Sequence, residues 1–163
     1  MRKQFSAAVL VACLGFAATS LSAQSVRFAP QIDFGTNNLN FGIGGRLDLG
    51  LAKTFGAPID GVGSFDYFFG TGGVHVWEIN ANIFYNFTVP RSNITPYAGG
   101  GLNIAHASVS CPAGFSCSAT EAGLNLGGGA KFKLPHSTMT PYAEARIELR
   151  TGSAFVLTGG LYF

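Results

Sequence analysis

From Gln24 onward, apolar and polar residues alternate with period two, and turn residues interrupt the alternation at regular intervals. In the first segment Val26, Phe28, Ile32 and Phe34 alternate with Arg27, Gln31 and Asp33, and Thr36-Asn37-Asn38 turns the chain. In the second, Leu39, Phe41, Ile43, Leu47, Leu49 and Leu51 alternate with Asn40, Gly42, Gly44, Arg46, Asp48 and Gly50. The third, 59–69, sets Phe65, Tyr67 and Phe69 against Ser64, Asp66 and Phe68. The fourth sets Trp77, Ile79, Ala81, Ile83, Tyr85 and Phe87 against Glu78, Asn80, Asn82, Phe84 and Asn86. The fifth, 95–107, sets Leu102 and Ile104 against Tyr97, Gly99, Gly101 and Asn103, and a longer loop is expected over 108–119. In the sixth, Ala122, Leu124, Leu126, Ala130 and Phe132 oppose Glu121, Asn125, Lys131 and Lys133. The seventh sets Ala143, Ala145, Ile147 and Leu149 against Tyr142, Glu144, Arg146, Glu148 and Arg150. The eighth, 154–163, places Phe155, Leu157, Leu161 and Phe163 on one face.

Eight successive strands joined by short connections predict an all-β fold: an eight-stranded antiparallel β-barrel with up-and-down meander topology. An even strand number returns both termini to one side. With the termini in the periplasm, the turns at 52–58, 90–94 and 135–139 fall there too, and those at 35–38, 70–73, 108–119 and 151–153 face outward.

Alternation alone does not say which parity is inside. Composition does. Charged residues make up 11% of the chain, against about 25% in ordinary soluble domains. A soluble, exported lipocalin-like ligand-binding barrel is the alternative, but its outer face needs more charge than this chain holds. No long apolar run follows the N-terminus, so a transmembrane helix is not expected there. The pattern fits a transmembrane barrel with its apolar parity on lipid.

Thirteen of the sixteen charges beyond residue 23 sit on the polar parity of the strands, while Lys53, Asp60 and Arg91 sit in or beside turns. A polar parity carrying both signs predicts a lumen lined by paired charges, and an eight-stranded barrel is just wide enough for side chains to fill. Arg46, Glu78, Arg146 and Glu148, each near mid-strand, are the expected internal ionic network. Trp77, Tyr85 and Phe87 are candidates for interfacial girdles or for ordinary strand packing.

Residues 1–23 read as a cleaved signal peptide: Arg2 and Lys3 precede an apolar run, and Ala23 offers a small residue before Gln24. Residues 24–163 then form the barrel domain. Leu10-Val11-Ala12-Cys13 also resembles a lipoprotein box, with Cys13 as the lipidated residue. Cleavage after Ala23 leaves eight basic and eight acidic residues. That balance gives no basic surface for nucleic acid. It also leaves Cys111 and Cys117, an even pair in an exported chain, expected as a disulfide. Closing that short loop is worth roughly 2.4 kcal/mol on the chain-entropy model. Zinc is the other option, but two further ligands are not evident nearby.

The stretch Thr95-Pro96-Tyr97-Ala98-Gly99-Gly100-Gly101, the signal peptide, and the ending Gly159-Gly160-Leu161-Tyr162-Phe163 resemble small outer-membrane β-barrels of the OmpA/OmpX-like and opacity-protein type. The resemblance covers residues 24–163. It implies a bacterial outer-membrane location and a non-enzymatic structural or surface-interacting role. Outer-membrane lipid and the barrel-assembly machinery are the implied partners, with Phe163 as part of the assembly signal. A monomer is expected.

Signals for catalysis are sparse, and no cofactor is expected. Gly127-Gly128-Gly129-Ala130-Lys131 lacks phosphate-loop spacing and falls in a strand. His75 and His136 lie near turns. His106 and Ser108 share a parity, and Glu121 opens the next strand. Some small outer-membrane barrels that deacylate lipopolysaccharide use a His-x-Ser pair with a Glu. The alternative function is therefore a lipid-A-modifying hydrolase. There the pair lies on the penultimate strand, however, and here it lies on the fifth, with Glu121 on the opposite parity.

Overall fold

The computed structural model describes residues 25–110 and 116–163. The alternating segments form β1 (Val26–Gly35), β2 (Asn40–Gly50), β3 (Ile59–Phe69), β4 (His75–Asn86), β5 (Ile94–Ser110), β6 (Ser116–Phe132), β7 (Thr140–Leu149) and β8 (Ala154–Tyr162). Each pairs antiparallel with its successor, and β1 pairs with β8, closing the barrel. The expected signal peptide, Cys13 and Cys111 lie outside the described residues.

The polar parity lines the interior and the apolar parity covers the outside. Phe28, Ile32, Phe65, Ile79, Leu102, Leu126, Ile147 and Leu157 are among the exposed outer residues, while Asp33, Asp66, Glu78, Arg146 and Glu148 are fully buried. This inverts a soluble protein. An outer wall this apolar exceeds the few hundred Å² that soluble monomers tolerate, so its stable solvent is lipid. Apart from Phe65 at mid-strand, the outer aromatic residues gather towards the two ends of the wall. Phe34, Phe41 and Phe69 form a chain near one end, with centroid spacings of 5.5 and 6.2 Å, and Tyr85 meets Phe87 at 5.2 Å near the other. That placement matches the interfacial girdles of membrane barrels.

Inward glycines make room for inward aromatics. A Cβ at Gly42 would meet the Phe68 ring at 2.7 Å, and one at Gly160 would meet the Tyr142 ring at 2.5 Å.

The structure corrects the sequence reading at three points. Leu39 does not join the lipid face; it is 3% exposed and packs inside with Phe68, Val76 and Val156. The cause is local: Asn37, Asn38 and Asn40 all have positive φ, so strand alternation begins only after Asn40. Asp60, expected in or beside a turn and left out of the lumen charges, faces the interior at the start of β3, 8% exposed. Most of the loop expected at 108–119 is strand: β5 and β6 each run 17 residues and pair from Ile94↔Phe132 to Ser110↔Ser116. By contrast β6 pairs with β7 only up to Leu124↔Leu149, so the β5–β6 hairpin stands above its β7 neighbour.

At that end Thr36 and Phe155 join the first and last hairpins: the Thr36 amide donates to the Phe155 carbonyl at 2.9 Å, and the Phe155 amide to the Thr36 hydroxyl at 2.9 Å. Asn37 also donates to the Ser153 carbonyl.

Candidate functional site

Because side chains in a strand alternate, every second residue of eight strands converges on one narrow space. The result is two charged clusters linked by amides and phenols. The first centres on Arg146 of β7. Its guanidinium lies 3.0 Å from Glu148, 3.5 Å from Asp66, 3.7 Å from Glu144 and 3.8 Å from Glu78. Arg150 caps the same group, 2.7 Å from Glu78 and 3.0 Å from Glu148. Arg46 of β2 reaches across to Glu144 at 2.9 Å and lies over the Tyr142 ring at 4.4 Å. Tyr97 donates to Glu144 at 3.0 Å.

The second cluster lies nearer the chain termini. Lys131 sits between Asp48, at 3.0 Å, and Asp60, at 2.5 Å, and Arg27 approaches the same two carboxylates at 3.1 and 3.7 Å. Asn80, Asn103 and Asn125 form a ladder beside the first cluster. Asn103 and Asn125 each donate to Asn80 at 2.8 Å, and Asn80 donates to Asp66 at 2.9 Å.

The four residues singled out from the sequence, Arg46, Glu78, Arg146 and Glu148, thus lie in one connected interior group. Arg46 reaches the others through Glu144. Glu144, Asp66, Arg150 and the whole Lys131 cluster were not singled out. The signal for them was present: each lies on the polar parity, Asp60 included, since it shares the parity of Ser64 and Asp66 within the 59–69 segment. Which of these groups meet depends on strand tilt and register, which parity does not encode.

Breaking a buried ion pair commonly costs about 3–5 kcal/mol, although the intact pair contributes far less after desolvation.

The candidate hydrolytic residues do not assemble. His106 Nδ1 is 2.8 Å from the Thr120 hydroxyl, and its ring stacks on Trp77 at 5.2 Å. The Ser108 hydroxyl donates to the His75 carbonyl at 3.5 Å. Glu121 sits opposite Ala105, an interior residue, on the other side of the wall. Gly127–Lys131 is extended strand, and Lys131 is taken up by its two aspartates. Phe163 is 58% exposed, with its amide bonded to the Phe28 carbonyl at 3.0 Å.

Comparison with known proteins bears on the fold. The outer membrane protein beta-barrel domain family matches residues 7–155. The neisserial surface protein A structure superposes with a TM-score of 0.64 at 16% identity, covering 84% of this chain and 94% of that one. The N-terminal β-barrel domain of Pseudomonas aeruginosa OprF gives 0.60 at 16% identity, covering 85% and 96%. Ail, the attachment invasion locus protein of Yersinia pestis, gives 0.50 at 17% identity, covering 86% and 97%. No curated protein sequence matches the chain.

Proposed function

The chain belongs to the outer membrane protein beta-barrel domain family, and we propose that in the bacterial outer membrane it is a non-enzymatic monomer with a structural or surface-interacting role and a lumen closed by its own side chains. The observation that carries this reading is the pairing of an apolar outer wall with an ion-paired interior. Large buried side chains, among them Arg46, Arg146, Tyr162, Phe68 and Glu78, occupy the space a water-filled pore would need. The short connections at 36–39, 70–74 and 150–153 offer little area for a protein receptor. The barrel-assembly machinery is the expected partner during insertion, through the terminal strand and Phe163.

Planar-bilayer recording tests the closed lumen. The parent protein should show little or no steady conductance. Glu78→Ala should stay nearly as silent, because Arg150 keeps Glu148 and Arg146 keeps three other carboxylates. A large, stable conductance in the parent would replace this reading with that of an open channel.

The reading includes a disulfide between Cys111 and Cys117 in the outward hairpin. Mass spectrometry of protein isolated from the membrane without reductant should find a mass lower by two hydrogens than the reduced chain. Two free thiols in that preparation would remove the bond.

A further inference from the structure

Above the Arg146 cluster, at the end of the barrel away from the termini, the interior turns apolar. Leu39, Val74, Val76, Ala105 and Ala107 line a cavity of about 530 Å³ that opens outward. Phe68, Ala154 and Val156 belong to the same apolar group. Nothing in the ionic interior requires this. A lumen lined with charge could have continued to the mouth, yet here Leu39, just before β2, and the last inward side chains of β4, β5 and β8 are aliphatic or small. The volume lies within the range of small-molecule sites, about 300–1,000 Å³, and such sites pair apolar walls with a few placed polar groups.

Two charged groups stand at the rim, Glu121 and Arg150, with Asn37, Asn38 and Thr151 as its uncharged polar residues. Arg150 is engaged by Glu78 and Glu148. Glu121 has no ion pair among the described residues, and its side chain lines the cavity. The free charge at the mouth is therefore a carboxylate. The wall is also incomplete on this side. β6 residues Ser116–Gly123 pair with β5 alone, since pairing with β7 begins at Leu124. Ala119 and Glu121 lie on that unflanked stretch and line the cavity. A ligand can thus enter from outside or from between β6 and the β7–β8 turn.

We propose that this cup is a binding site for a small cationic amphiphile, an alkylammonium-type molecule. Its chain would lie on Leu39, Val74, Val76 and Ala105, and its ammonium would pair with Glu121. The proposal is independent of whether the lumen below conducts, because the cup lies above the ionic cluster.

The test uses the folded protein in lipid nanodiscs, with methyl resonances as reporters and hexylamine, hexanol and hexanoate as probes. Hexylamine at neutral pH should shift Leu39, Val74 and Val76 methyls saturably, while the lipid-facing Leu47 and Leu102 methyls follow only weak, linear partitioning. Hexanol should bind more weakly and hexanoate more weakly still. Lengthening the amine by one methylene should tighten binding by up to about fourfold. Glu121→Gln should weaken hexylamine by up to about fivefold and bring it level with hexanol. Ala107→Phe, at a half-buried position on the cavity wall, should fill the cup and abolish the saturable shift for both. If the cup methyls respond no more than the lipid-facing ones, there is no site. If hexanoate binds as well as hexylamine, or Glu121→Gln leaves their order unchanged, the cationic assignment is overturned.

Discussion

Arg146→Ala should cost about 3–5 kcal/mol and leave much of the protein unable to form the barrel. The guanidinium lies within 4 Å of Glu148, Asp66, Glu144 and Glu78. The interior cations are Arg27, Arg46, Lys131, Arg146 and Arg150, set against Asp33, Asp48, Asp60, Asp66, Glu78, Glu144 and Glu148. The acids already outnumber the bases, so deleting a cation adds to the imbalance while deleting an acid relieves it. The structure thus separates two substitutions that look equivalent in sequence. Glu148→Gln should cost markedly less than Arg146→Ala, because Arg146 and Arg150 keep other carboxylates. Urea titration in lipid bilayers, read by the mobility shift of unheated samples, measures both. A loss below about 1 kcal/mol for Arg146→Ala, in the range of an exposed ion pair, would show that Arg146 is not the centre of the interior network.

Ile79→Arg should destabilise the inserted barrel by about 2–4 kcal/mol, the cost of a cation on the lipid face near the midplane. Ile79 is at the middle of β4, flanked by Phe65 and Ile104, and all three face outward. Leu49→Arg makes the same chemical change one residue from the end of β2, beside Val26 and Gly61. There the side chain can reach the interface, and the cost should fall to about 0–1 kcal/mol. The contrast between the two variants in one folding titration tests depth as well as facing. Equal costs would mean that β2 and β4 sit at other depths than the aromatic bands imply. No cost at either site would mean that the apolar parity does not meet lipid.

The order of strands, their number and the inside–outside parity were legible along the chain, because a strand's side chains alternate whatever its neighbours do. Charge placement then told lumen from lipid: no charge falls on the apolar parity within a strand, and burying one there would cost too much. Where alternation broke, the reading failed. Leu39 was assigned to lipid because three left-handed asparagines beside it reset the phase, and Asn is compatible with that backbone without announcing it. The hairpin around Ser108 and Ser118 looked like a loop because small polar residues carry little strand signal, yet its backbone pairs to Ser110↔Ser116.

The sequence by itself therefore determined the architecture and the set of residues that share the interior. Only the tertiary structure decided which of them meet. Arg46 and Glu144 are 98 positions apart and lie 2.9 Å from each other, a meeting set by strand tilt and the closing β1–β8 register. The same closure set the height of Glu121 at the mouth, whereas its inward facing, opposite to His106, was already given by parity. It also brought Leu39, Val76 and Ala105 together into an apolar cup above the charges. Local alternation specifies the direction of a side chain; its height in the barrel, and hence its partner, is fixed only when the eighth strand reaches the first.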